Sequence, residues 1–207
     1  MGTASSLIAA VIARLEAAAD VASEAVLEVT QVAKVGAATG NPASCTFVAA
    51  VVEKDLLVVG SVGDSRVYWL PDAGTAVALT VDDSFAQEQI ASGVPRAEAE
   101  TGPQSHAITR WLGVDAPNHS PTTATMTITE PGWVLVCSDG LWNYCSEAQD
   151  LATLVQNTSG SSPAAAEPLT LAGALVDWAN AQGGQDNVSV ALARIDPPAH
   201  RSTREEA

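Results

Sequence analysis

The feature that most constrains the fold is an apolar run, residues 133–142, which a single carboxylate interrupts. Its first part, from Trp133 to Cys137, is continuously apolar, and the next residues include Asp139 and Gly140. A short apolar run bounded by turn residues predicts a strand that is buried on both faces. The chain must therefore surround this strand with other elements and leave Asp139 at its end.

A second segment, near the C-terminus, shows the reverse order. Gly183 and Gly184 precede Asp186, and an alternating strand pattern runs from Asp186 to Ile195. Two aspartates at the ends of two buried strands indicate a divalent-metal site, because hard cations prefer carboxylate oxygens.

Composition limits the class of protein and of partner. The 207 residues are 47% hydrophobic and 16% charged, which is typical of one folded domain. The formal net charge of −15 argues against nucleic acid and anionic membrane surfaces as partners, because both need clustered Lys and Arg. No apolar run approaches the ~18–20 residues that span a bilayer.

The cysteines point away from zinc and disulfides. Cys45, Cys137 and Cys145 are odd in number and form no CxxC pair. Cys137 lies inside the apolar run and is predicted to be a core residue. A reducing, cytoplasmic location fits this pattern best.

The remaining chain predicts an α+β layered domain. Residues 5–36 have a helical pattern in two successive stretches, and residues 53–55 read as the turn of a hairpin. Ser146 is the expected N-cap of a helix over residues 147–155. The other predicted elements are strands over 46–52, 56–60, 67–70, 77–80 and 122–128, and a helix over 169–181.

One polar segment, residues 84–103, reads as a surface excursion between strands. It holds two short helical patterns with little periodic hydrophobicity. Such excursions often act as lids or recognition flaps, so this segment is expected to govern substrate choice. His106, just after it, is expected to be an exposed polar residue.

Six segments in order carry the chemistry. The four that contain aspartates are residues 62–66, 79–84, 136–142 and 184–188, and the other two are residues 41–46 and 108–113. Each Asp-Gly or Gly-Asp dipeptide alone is typical of a turn. Together, in order and spacing, the segments resemble the metal-dependent protein phosphatases of the 2C (PPM) family. The resemblance covers about residues 40–195.

The resemblance implies an antiparallel β-sandwich flanked by helices. It places a phosphatase-like domain at residues 1–195 and a flexible tail at residues 196–207. The family's N-terminal strands have no counterpart here. Neither has its Asp-Gly-x-Gly-Gly segment, whose aspartate bridges the metals. The domain is therefore expected to be N-terminally truncated relative to the family.

The resemblance also implies a reaction: hydrolysis of phosphoserine and phosphothreonine in proteins by attack of a metal-bound water. Two Mn²⁺ or Mg²⁺ ions, with a third, weaker one, would neutralise the phosphoryl oxygens and activate the water. By resemblance, Asp139 and Asp186 are ligands of the two-metal centre. Asp82 matches the ligand of the third metal, which it shares with Asp139.

Four further residues receive roles beside these ligands. Asn187 is expected to support the metal ligands from a second layer, and Asp83 is the neighbour of Asp82 where the family often has His. Asp64 and Arg66 are interpreted as structural, as a buried turn with an ion pair.

Two alternatives remain open at the level of sequence. The absent bridging aspartate is compatible with an inactive relative that binds a phosphoprotein or another partner. It is also compatible with a non-functional fragment of an active enzyme. The expected partners are a phosphoprotein substrate and a Ser/Thr kinase system, with neither nucleic acid nor membrane.

Overall fold

The computed structural model describes residues 3–34, 42–105 and 107–197. Asn41, His106 and residues 198–207 of the predicted tail lie outside the described residues, and the domain limits 1–195 and 196–207 stay predictions. The helices are α1 (Thr3–Lys34), α2 (Phe85–Ala91), α3 (Arg96–Ala99), α4 (Asp139–Trp142), α5 (Ala148–Ser159) and α6 (Pro168–Gln182), with a 3-10 turn at Pro163–Ala166. The strands are β1 (Ser44–Cys45), β2 (Phe47–Glu53), β3 (Leu56–Val62), β4 (Arg66–Pro71), β5 (Val77–Ala78), β6 (Leu112–Gly113), β7 (Thr122–Thr127), β8 (Gly132–Cys137) and β9 (Val190–Ile195).

Two antiparallel sheets face each other. One has the strand order β2-β3-β7 and the other β5-β4-β8-β9, while β1 and β6 form a small separate pair. The register of β4 on β8 runs from Arg66 opposite Cys137 to Pro71 opposite Gly132. This register brings the start of β4 to the end of β8, which is the end that leads into Asp139.

Alternating side chains fill the space between the sheets. Leu57 and Val59 of β3 point towards the second sheet, where Val67 and Trp69 of β4 and Val134 of β8 meet them. An apolar contact of this kind excludes water from both sheets and is the main driving force for the sandwich.

The other faces of the sheets are covered by helices. On one side, Val58 packs against Val11 and Leu15 of α1. On the other, Leu135 of β8 packs with Leu151 of α5 and with α6. Both faces of β3, β4 and β8 are therefore buried, which confirms the strand predicted from the apolar run and the predicted sandwich flanked by helices.

Two local predictions were wrong. The two predicted helical stretches form one helix, α1, as far as Lys34, because alanines rather than Gly or Pro join them at Ala17 to Ala19. Residues 35 and 36 of the predicted range lie outside the described residues. Ser146 does not cap α5: the N-cap position is Glu147, without a side-chain capping bond. The hydroxyl of Ser146 instead contacts Glu100.

Within the described part of the chain, no helix combines the length and apolarity needed to cross a membrane.

Candidate metal centre

Strand β8 delivers Asp139 to the edge of the sandwich. Asp139 is the first residue of α4 and is half-buried. Its neighbour Gly140 approaches the next segment so closely that an added Cβ would lie 2.5 Å from the backbone oxygen of Asn187. Only glycine permits this contact, which sets the Asp139 turn directly against the segment that carries Asp186.

Ser138 ties the same two segments together. Its Oγ donates to the Asn187 carbonyl at 3.0 Å and accepts from the Ser189 amide at 3.0 Å. The Ser138 amide donates to the Ser189 carbonyl at 3.1 Å. These bonds hold the turns of Asp139 and Asp186 side by side. They use the backbone of Asn187, while support of a metal by its side chain stays a prediction.

Asp186 lies on the exposed turn between α6 and β9. Its Oδ1 accepts from the Asn187 amide at 2.6 Å, so the residue that follows Asp186 orients the carboxylate. The amide of Gln185 donates to the Tyr144 hydroxyl at 3.3 Å, which fixes the other side. The turn thus presents one carboxylate to solvent on a backbone that is held at both sides.

A third carboxylate, that of Asp64, joins this end of the sandwich. Asp64 follows β3 in a turn where Gly63 has φ +102°, a value that favours glycine. Its side chain is buried, and the Trp142 indole nitrogen donates to its carbonyl at 2.9 Å. Burial, and then the negative charges of Asp139 and Asp82, raise the pKa of Asp64 to about 6.

The raised pKa of Asp64 reflects its burial first and the neighbouring negative charges of Asp139 and Asp82 second. Such a set of oxygen ligands either takes up a proton or holds a hard cation. The donor chemistry therefore fits Mg²⁺ or Mn²⁺. Among the described residues, however, no three His, Cys, Asp or Glu side chains form a group that could by itself hold a metal ion.

Arg66 forms an ion pair with a further carboxylate near this site, that of Asp82. Its Nε and Nη2 donate to Asp82 at 2.9 Å and 2.6 Å, and its guanidinium lies 3.6 Å from the ring centroid of Trp142. The predicted ion pair in a buried turn exists, but the acid that pairs with Arg66 is Asp82 and not Asp64. A metal at Asp82 would have to compete with Arg66, and the role of Asp82 as a ligand stays a prediction.

Asp83 braces the Gly63–Asp64 turn. Its Oδ2 accepts from the Gly63 amide at 2.9 Å, and its own amide donates to the Gly63 carbonyl at 2.9 Å. Arg110 donates to Oδ1 at 3.0 Å. Asp83 therefore supports the backbone that positions Asp64, although its support of a metal site stays a prediction.

Sequence reasoning missed Asp64 as a member of this acidic set. The available signal was the position of Gly63-Asp64 directly after a buried strand, as Ser138-Asp139 follows β8.

The three cysteines are unpaired thiols, and burial raises the pKa of Cys137 to about 12. A thiolate ligand or nucleophile at Cys137 is therefore not available near neutral pH.

Known proteins are similar to this chain in sequence and in fold. The family described as Protein phosphatase 2C matches residues 3–178. The serine/threonine phosphatase stp of Listeria welshimeri is 31% identical over 153 residues, which are 73% of this chain and 57% of that protein. The chain thus spans little more than half the length of the curated relatives that it matches.

Solved structures of serine/threonine phosphatases are also similar to this chain. The S. agalactiae serine/threonine phosphatase superposes with a TM-score of 0.68 at 26% identity, over 93% of this chain and 72% of that chain. The catalytic domain of the serine/threonine protein phosphatase PstP, in complex with two manganese ions, superposes with a TM-score of 0.55 at 27% identity. That match covers 74% of this chain and 60% of that catalytic-domain chain.

Proposed function

Because this chain belongs to the protein phosphatase 2C family, we propose that it hydrolyses phosphoserine and phosphothreonine in proteins with the help of Mn²⁺ or Mg²⁺. One observation carries the proposal: the turns of Asp139 and Asp186 are bonded side by side, next to the buried carboxylate of Asp64. One relative with this fold, the catalytic domain of PstP, is in complex with two manganese ions.

In this proposal Asp139 and Asp186 hold two cations, and a third, weaker site shares Asp139. The sequence assigned Asp82 to that third site. Asp64 is the better candidate, because it lies close enough to Asp139 for their charges to interact, whereas the oxygens of Asp82 accept from Arg66. When bound, the cations supply charge neutralisation for the phosphoryl oxygens and lower the pKa of water.

The chain's own residues do the positioning. Ser138 and Gly140 fix the distance between the two acid-bearing turns, and Asp83 holds the Gly63–Asp64 turn. Short aspartate side chains on rigid turns suit a metal site, because they leave little freedom in ligand position.

The proposed partners are phosphoproteins, made by a Ser/Thr kinase system. The proposed compartment is the cytoplasm, because all three cysteines are free thiols. A domain that binds a partner without catalysis, the alternative from the sequence, differs from this proposal in one measurable property: it needs no Mn²⁺.

The direct test is turnover of the purified chain on p-nitrophenyl phosphate and on a phosphothreonine peptide with excess Mn²⁺. We expect turnover that a chelator abolishes and that Asp139→Asn lowers at least about 100-fold. Asp177→Asn, at an exposed position on α6, is the matched control and should keep wild-type activity. Turnover that survives Asp139→Asn, or that needs no metal, would refute the proposal.

A further inference from the structure

The segment that the sequence marks as a recognition flap is attached to the core at its base. The sequence predicted this flap over residues 84–103, and we define it from the structure as residues 84–105. It leaves the core at Ser84 and the chain returns at Ile108, and these two residues form a β-bridge. The Phe85 amide also donates to the Ala107 carbonyl at 2.8 Å. The base is therefore fixed, and the far part of the flap, α2 and α3, needs a fastening of its own.

Glu100, just after α3, provides that fastening. Its Oε1 accepts from Arg66 Nη2 at 3.2 Å and from Arg96 Nη1 at 2.7 Å. The Ser146 hydroxyl lies 2.9 Å and 3.0 Å from its two oxygens. Burial acts to raise the pKa of Glu100, but the hydrogen bonds from Ser146, Arg96 and Arg66 outweigh it and hold the pKa below its usual value.

The other side of this fastening leads to the candidate metal centre. Arg66 stacks on Trp142, and the Trp142 indole donates to the carbonyl of Asp64. Trp142 is the last residue of α4, which begins with Asp139. The flap is thus attached, through Glu100 and Arg66, to the element that carries a proposed metal ligand.

The flap and the core also border a cavity of about 290 Å³ that is open to solvent on one side. Gln87 and Arg96 line it from the flap, and Thr80 and Glu147 line it from the core. Its walls carry charges of both signs, which suits a polar stretch of polypeptide. The shape of the cavity depends on where the flap is held.

We propose that Glu100 is a positioning residue that latches the flap onto Arg66 and so determines how a phosphoprotein reaches the acidic end of the sandwich. The latch itself follows from the contacts of Glu100, whereas its effect on substrates rests on the proposed phosphatase function. A small aryl phosphate carries no polypeptide, so it serves as an internal reference for chemistry without polypeptide recognition.

The latch is tested first without any assay of activity. Hydrogen–deuterium exchange is measured on the metal-free chain for the wild type, Glu100→Gln and Glu98→Gln. Glu98 lies in α3, is exposed, and its substitution changes the charge equally, so it is a matched control. We expect amides of residues 85–105 to exchange at least about tenfold faster in Glu100→Gln only. Equal exchange in the two variants would overturn the latch.

A partner variant keeps this test independent of one substitution. Ser146→Ala removes the hydroxyl that lies between both oxygens of Glu100 and Nη1 of Arg66. It should raise flap exchange in the same residues by a smaller factor, about threefold. Faster exchange spread evenly over the whole chain would mean general destabilisation and would count against the latch.

The effect on recognition is then measured with Mn²⁺ on the wild type, Glu100→Gln and Glu98→Gln. Glu100→Gln should raise KM for a phosphothreonine peptide at least about threefold, and change kcat and KM for p-nitrophenyl phosphate by less than about twofold. An unchanged ratio between the two substrates would overturn the recognition role. Absence of wild-type turnover on both would refute the proposed function, while the exchange experiment would still decide the latch.

Discussion

The two ends of the β4–β8 strand pair are each held by an arginine that stacks on a tryptophan, but their surroundings differ. At the end near Asp139, Arg66 lies 3.6 Å from the centroid of Trp142 and binds Asp82 through two nitrogens. Only 6% of the Arg66 side chain and 7% of that of Asp82 are exposed. Water is almost absent from this pair, so each charge depends on the other.

At the opposite end, Arg194 lies 5.5 Å from the centroid of Trp133 and donates to both oxygens of Asp72 at 2.6 Å. It also reaches Asp196. Here 30% of the Arg194 side chain and 48% of that of Asp72 are exposed. Both charges keep contact with water, so the pair is close to an ordinary surface ion pair despite its good geometry.

The comparison shows that burial, more than hydrogen-bond geometry, decides what such a pair does. Exposed ion pairs contribute roughly 0–1 kcal/mol, because water solvates the separated partners nearly as well. A buried pair contributes little net stability when intact, but removal of one partner leaves an uncompensated charge. The buried end is therefore the one where a single substitution disturbs both the fold and the candidate metal centre.

The largest expected effect on stability is that of Arg66→Met, which leaves the carboxylate of Asp82 buried and without its partner. It should lower the free energy of unfolding by about 3–5 kcal/mol. Urea denaturation followed by tryptophan fluorescence measures it. A loss below about 1 kcal/mol would show that the two ends do not differ as their burial suggests.

An intermediate effect is expected from Asp64, whose pKa of about 6 in the folded state exceeds the ordinary value of about 3.9. Between these values the folded chain holds a proton that the unfolded chain releases. The contribution of this proton to the free energy of unfolding is therefore fully present below about pH 4 and is lost as pH rises through about 6. It amounts to about 3 kcal/mol, because each pKa unit corresponds to about 1.4 kcal/mol.

Asp64→Asn removes this titration, so the difference in unfolding free energy between Asp64→Asn and the wild type should grow from pH 4 to pH 7. Both proteins are measured in a chelator, since a bound cation would reverse the sign. A difference that stays constant across this range would contradict the crowding of carboxylates at this end.

The smallest expected effect is that of Arg194→Met at the exposed end. We expect a loss of less than about 1 kcal/mol in the free energy of unfolding, because Asp72 becomes solvated when its partner leaves. The same urea titration serves, with Arg66→Met measured in parallel. A loss comparable to that of Arg66→Met would show that stacking on tryptophan, and not burial, dominates both pairs.

The sequence predicted the elements better than their contacts. The apolar run that ends at Cys137 identified β8 because a strand covered on both faces needs continuous apolar residues. The hairpin at residues 53–55 was likewise confirmed, since β2 and β3 pair around it. Such local patterns depend only on neighbours in the chain, so a single sequence contains them.

The candidate site was predicted less completely, because its contacts join distant segments. Arg66 binds Asp82, which lies 16 residues away in the chain, rather than its near neighbour Asp64, and no local pattern indicates such a contact. The bond between Ser146 and Glu100 spans 46 residues, and no local pattern signals it. The prediction that Ser146 caps α5 was wrong for that reason.

The most direct test of the account is titration of the metal-free chain with Mn²⁺, followed by calorimetry, because the central claim is that the tied turns of Asp139 and Asp186 form a cation site. We predict saturable binding that Asp139→Asn and Asp186→Asn each weaken at least about tenfold, while Asp177→Asn leaves it unchanged. Absence of saturable binding to the wild type, or equal binding to Asp139→Asn, would contradict the account.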